Sequence, residues 1–106
     1  MKLRMQCLSV ALIAGGLLSG AAHAAGIEDT MKAKSCFACH AADKKLVGPA
    51  YKDVAAKYKA DKGAVSKLAS KIQKGGAGVW GAVPMPANAV TEAEAKQMAE
   101  WVLKVK

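Results

Sequence analysis

Residues 35–40 read SCFACH. Two cysteines, Cys36 and Cys39, stand two residues apart, and His40 follows at once. What this triplet does depends on where the chain works, and the N-terminus bears on that. Lys2 and Arg4 precede an apolar run, LSVALIAGGLL, over residues 8–18. Ala22 and Ala24 then flank His23. A charged start, a short apolar centre and an A-x-A end form the pattern of a secretory signal peptide over residues 1–24, cut after Ala24. The run is about half the roughly 20 residues a membrane span needs. Cys7 lies before the apolar run rather than at the cut, so lipid attachment there does not fit. Residues 25–106 are the length of one small domain.

Loss of Lys2 and Arg4 takes the 16 basic residues to 14, all lysine. Against 8 acidic residues the net charge of the exported chain is +6. Nucleic acid is a poor partner for an exported protein. A basic surface there points instead to an acidic protein face or an anionic membrane surface, although most single lysines serve only solubility.

After cleavage, Cys36 and Cys39 are the remaining cysteines and His40 the remaining histidine. Export favours disulfides, but a redox C-x-x-C site expects a strand before it and a helix after it, and no β-rich stretch lies near. Zinc expects about four ligands, and the cluster supplies three. Covalent haem attachment through C-x-x-C-H accounts for all three residues. Each thiol adds to one haem vinyl group. Two intervening residues make a turn that brings both sulfurs to one porphyrin edge, and the next residue is carried under the iron. One copy of the motif means one haem c.

Histidine fills one face of the iron, and a second protein ligand would favour electron transfer over ligand binding or catalysis. Met31, Met85, Met98 and the lysines compete for that place. Met31 is too near Cys36 to reach the opposite face, and Met98 sits on the apolar side of an expected helix, where methionine usually fills core. Met85 lies in GAVPMPAN, residues 81–88, between Pro84 and Pro86. The prolines stiffen the loop and keep it out of a helix. It follows His40 by 45 residues, ample chain to pass around a haem edge. The second imidazole nitrogen needs an acceptor, and a backbone carbonyl in LVGPAY, residues 46–51, is close enough in sequence to supply it. Trp80, in a glycine-flanked loop, either points its N–H at a haem propionate or simply packs.

The remaining apolar spacing is helical. Ile27 and Met31 mark a first helix. Pro49 opens a second, with Tyr51, Val54, Ala55 and Tyr58 on one side. Val65, Leu68, Ala69 and Ile72 mark a third, stopped by the glycines after Lys74. Thr91 and Glu94 form a capping box for a last helix, which carries Ala95, Met98, Trp101, Val102 and Val105 as one stripe. Lys104 and Lys106 suit the negative end of its dipole. Trp101 is expected in the core where this helix crosses the first. The fold class is all-α, and a chain this short has a thin core that a haem would fill.

The segments SCFACHAADKKLVGPAYKDVAAKY, GVWGAVPMPANAV and AEWVLKVK together resemble the bacterial class I cytochromes c of the c-551/c-552 type. The likeness spans essentially all of residues 25–106. It implies about four helices wrapped around one haem, and a periplasmic one-electron carrier rather than an enzyme. Carried over by position, Cys36 and Cys39 hold the haem, His40 and Met85 are axial ligands, and the Pro49 carbonyl accepts from His40. Trp80 and Lys71 lie near a propionate, and Asn88 near the Met85 sulfur. Lys71 stands where arginine is common, which removes a bidentate contact. Met31 replaces a frequent aromatic, and MPAN replaces a double proline.

The resemblance implies redox partners such as a terminal oxidase, a nitrite reductase or a bc1-type donor, engaged through acidic faces. Lys34, Lys44 and Lys45 are placed to meet them. The chain is expected to be monomeric, without stable membrane insertion. A ligand-binding or peroxidatic haem would want an open sixth position with a distal histidine or arginine, and the exported chain has neither.

Overall fold

The structure, a computed structural model, describes residues 26–106. The expected signal peptide over residues 1–24, with Cys7 and His23, lies outside the described residues. Five helices follow in order: α1 Ile27–Ala33, α2 Cys36–Cys39, α3 Tyr51–Tyr58, α4 Ala64–Lys74 and α5 Glu92–Leu103. The fold is all-α as expected, with one helix more than the four anticipated. The extra one is α2, a single turn made of the haem motif itself, too short to leave a periodic signature.

Local chemistry explains most boundaries. Glu28 and Asp29 sit in the first turn of α1, where negative charge meets the positive dipole end. α3 begins at Tyr51 rather than at Pro49, because Ala50 is extended and serves as its N-cap. Gly75, at φ +71°, ends α4. The Thr91 hydroxyl accepts from the Glu94 N–H at 3.1 Å, and the Glu94 carboxylate accepts from the Thr91 N–H at 2.9 Å. This reciprocal pair is the anticipated capping box.

α5 packs against α1, α3 and α4. Met31 and Met98, each 1% exposed, are the largest fully buried side chains and share a cluster with Tyr51, Val54 and Val102. Methionine at position 31 is thus fully buried and part of the core. A second cluster joins Ala69 of α4 to Ala95 and Ala99 of α5. Small residues there let the two backbones approach closely. Trp101 is half-buried, and its ring partners come from α2 and α3: Phe37 and Tyr51. Among the described residues no helix is long and apolar enough to cross a membrane.

Candidate functional site

α2 puts Cys36 and Cys39 three residues apart, on one side of a helical turn. Both are free, partly buried thiols. Burial pushes the Cys36 thiol above its ordinary pKa; a backbone hydrogen bond offsets part of that rise, and neighbouring Cys39 adds a smaller one. The preceding residue, Ser35, has φ +62° and ψ +25°, the only left-handed non-glycine among the described residues. It turns the chain from α1 into α2. His40 caps α2 in an extended conformation, so its ring leaves the helix.

The imidazole is then oriented by the segment that follows. The Gly48 N–H donates to the Cys39 carbonyl at 2.7 Å, which folds LVGPAY back on the motif. His40 Nδ1 lies 2.8 Å from the Pro49 carbonyl oxygen. A carbonyl can only accept, so Nδ1 carries the proton and Nε2 is left with its lone pair. A Cβ added at Gly48 would collide with the His40 ring, at 2.8 Å from Nδ1 and 3.0 Å from Nε2. Glycine here is a requirement of close approach. On sequence, Gly48-Pro49 reads only as a turn, and this contact is not visible.

Met85 is held by a different anchor. Its N–H donates to the Gly76 carbonyl at 2.9 Å, and the Gly76 N–H returns a bond to the Met85 carbonyl at 3.0 Å. Pro84 and Pro86 have no N–H, so this is the donor the PMP stretch offers, and it is used. The loop also closes tightly on the end of α4: a Cβ at Gly75 would strike the backbone of Met85, Pro86 and Ala87. The Asn88 N–H and side-chain amide both donate to the Ile72 carbonyl, each at 3.1 Å, and the amide also reaches the Pro86 carbonyl at 3.3 Å. Asn88 thus staples the methionine loop to α4, and it is not on the cavity wall described next.

Cys36, Cys39, His40 and Met85 all line one cavity of about 630 Å³. Its walls are mainly apolar, with Leu68, Ile72 and Val102 among them. Size and lining suit a large flat apolar cofactor with a few placed polar contacts. Two thiols beside an imidazole are the groups that covalent haem attachment uses, and a thioether, which can ligate iron, stands on the same walls. Trp80 and Lys71 also line the cavity. Trp80 is 42% exposed, and the Lys57 ammonium stands 5.7 Å over its ring. The Lys71 ammonium packs against Gly76, where a Cβ would meet it at 2.9 Å.

Residues 25–106 match the family model of cytochrome c. The chain is 60% identical over 79 residues to cytochrome c-552 of Hydrogenobacter thermophilus, covering 74% of this chain and 81% of that one. It is 53% identical over 95 residues to cytochrome c-551 of Pseudomonas aeruginosa, covering 90% and 91%. The crystal structure of wild-type Nitrosomonas europaea cytochrome c552 superposes with a TM-score of 0.71 at 49% identity, over 74% of this chain and 99% of that one. A cavity walled by a C-x-x-C-H turn and the similarity along the whole described domain lead to one conclusion. The chain belongs to the cytochrome c family, among the small class I proteins of the c-551/c-552 type, and is an electron-transfer protein with one covalently attached haem c rather than an enzyme.

Proposed function

We propose that the chain is exported to the periplasm after cleavage of residues 1–24, and there shuttles single electrons between respiratory redox proteins. His40 and Met85 would ligate the haem iron, and Cys36 and Cys39 would attach the porphyrin through two thioethers. The observation that carries this reading is that these four residues line one cavity while His40 keeps Nε2 free of hydrogen bonding to Pro49. Bound haem supplies a ferric/ferrous couple. The chain's own work is to hold that couple with little rearrangement. Pro49 orients the imidazole and makes it a better donor. The Gly76–Met85 bridge holds the thioether in a loop stiffened by two prolines. A thioether ligand favours the reduced state and raises the potential. Trp80 and Lys71 are placed to meet the propionates, Lys71 as a point charge rather than a fork.

Partner docking uses the exposed surface beside the motif. Leu46 and Val47 are exposed apolar residues next to the exposed Lys44 and Lys45, and Lys34 is exposed at the end of α1. An acidic face on a terminal oxidase, nitrite reductase or bc1-type donor complements them, with the carrier acting as a monomer. Electron exchange with such a partner is expected to slow as salt rises. A rate flat across ionic strength would remove the steering role.

The ligation is tested on the exported haem protein with Met85→Ala. The parent is expected to show the weak near-infrared sulfur-to-iron band of a ferric Met-ligated haem and little affinity for carbon monoxide. The variant is expected to lose the band and bind carbon monoxide tightly in the ferrous state. A parent without the band, or a variant that keeps it, would refute Met85 as the ligand.

A further inference from the structure

The His40 ring has a second neighbour besides Pro49. The Tyr51 ring stacks on the imidazole, with centroids 4.9 Å apart and planes 19° from parallel. The contact is built by the backbone: the Tyr51 N–H donates to the Ala41 carbonyl at 2.9 Å, and the Lys52 N–H to the Ala42 carbonyl at 3.0 Å. The start of α3 is thereby tied to the two residues that follow His40. Tyr51 is 4% exposed, and it is itself held. Phe37 meets it edge-on at 5.9 Å and 87°, and Trp101 does so at 5.6 Å and 84°. Phe37 and Trp101 meet each other at 5.9 Å and 81°. Three rings from α2, α3 and α5 thus close on one another, with the imidazole stacked on one of them.

A hydrogen bond at Nδ1 fixes one direction in the imidazole plane, but the ring can still rock about it. A face-on neighbour restricts that rocking. An edge-on cluster behind that neighbour keeps it in place, since such pairs have a preferred geometry and add attraction beyond burial. Groups that orient a metal ligand act through the same restriction of rotation.

We propose that Tyr51 is a positioning residue for the haem-ligating imidazole: its stacked ring sets the rotation of His40, and Phe37 with Trp101 locks Tyr51. The inference rests on His40 being an axial ligand. In a ferric low-spin haem the plane of an axial imidazole helps select the iron orbital that carries the unpaired electron. Rotation is therefore read in the order and spread of the paramagnetically shifted haem-methyl proton resonances. Tyr51 also lines the cavity, whereas Phe37 does not, so a change of that pattern on replacing Phe37 separates positioning of the imidazole from direct contact with the haem.

The test compares the ferric haem-loaded parent with Tyr51→Phe, Tyr51→Leu and Phe37→Leu by proton NMR, alongside their unfolding midpoints. The parent is expected to show strongly shifted imidazole protons. Their absence would remove the ligation reading, and the inference with it, before any variant is compared. Tyr51→Phe keeps the ring face and is expected to keep the parental methyl order. Tyr51→Leu is expected to reorder or compress it. Phe37→Leu, which loosens Tyr51 without touching His40, is expected to give the same change at smaller size. A Tyr51→Leu protein with a lowered midpoint and parental resonances would overturn the proposal. So would a Tyr51→Phe protein altered as much as Tyr51→Leu. Where Tyr51→Leu does not fold, parental resonances in Phe37→Leu overturn it.

Discussion

Gly48→Ala sets two effects of opposite sign against each other. The backbone at Gly48 is not left-handed, so alanine can adopt its conformation. On that ground alone the change should stabilise by about 0.4–1 kcal/mol through a less flexible unfolded chain. The obstacle is the His40 ring. The new methyl would lie 2.8 Å from Nδ1 and 3.0 Å from Nε2, with Cε1 closer still. Ordinary contact begins at 3.4 Å, so Nδ1 must retreat by at least 3.4 − 2.8 = 0.6 Å, or the Gly48 backbone must move instead. A retreat of that size along the 2.8 Å bond to the Pro49 carbonyl stretches it past the usual limit of about 3.2 Å. Overpacking costs about 1–3 kcal/mol, and the weakened hydrogen bond about 1 kcal/mol more. The steric side wins, with a net loss of about 2 kcal/mol after the unfolded-state gain is subtracted. The assay is urea unfolding of the ferric haem protein, read as a lower midpoint at unchanged slope. A variant as stable as the parent, or more stable, would show that the turn yields freely and that Gly48 does not confine the ring.

Three further outcomes are expected. Ser35→Gly should raise stability by roughly 0.5–1 kcal/mol, because glycine removes the left-handed penalty at φ +62°; an unchanged or lower unfolding midpoint would show that Ser35 is unstrained. Met98→Ala, at a side chain 1% exposed, should cost about 3 kcal/mol by transfer loss and cavity formation, and a loss below 1 kcal/mol would mean the α1–α5 contact collapses to refill the space. The Glu94 carboxyl is held below the usual range chiefly by the Thr91 N–H, so its contribution is present above the unfolded carboxylate pKa and fades as pH falls through the folded one. Glu94→Gln should therefore flatten the acid limb of the stability–pH curve, and a variant curve parallel to the parent's would contradict this assignment.

The parts of this protein legible in its sequence are those set by neighbours along the chain. Thr91 and Glu94 announce the start of α5 because a capping box is complete within four residues. The stripe Ala95, Met98 and Val102 is buried as its spacing requires. The C-x-x-C-H run names its chemistry because the attachment turn is local. α2 escaped detection as a helix for the same reason in reverse, since four residues hold too little periodicity to read.

What only tertiary structure decided are the contacts between segments far apart in sequence or packed face to face. Tyr51 and Trp101 look like ordinary apolar-stripe residues until α3 and α5 meet over Phe37 and the His40 ring. Asn88 could be assigned toward the Met85 sulfur by position, yet its amide donates to the Ile72 and Pro86 carbonyls. Gly48 and Gly75 read as turn and stop signals, but the structure adds the ring and the loop that a Cβ would strike. Periodicity and motif spacing report which faces are apolar and which donors are near. They carry no information on which surface fills the space beside a given atom, because that depends on how the helices pack in three dimensions.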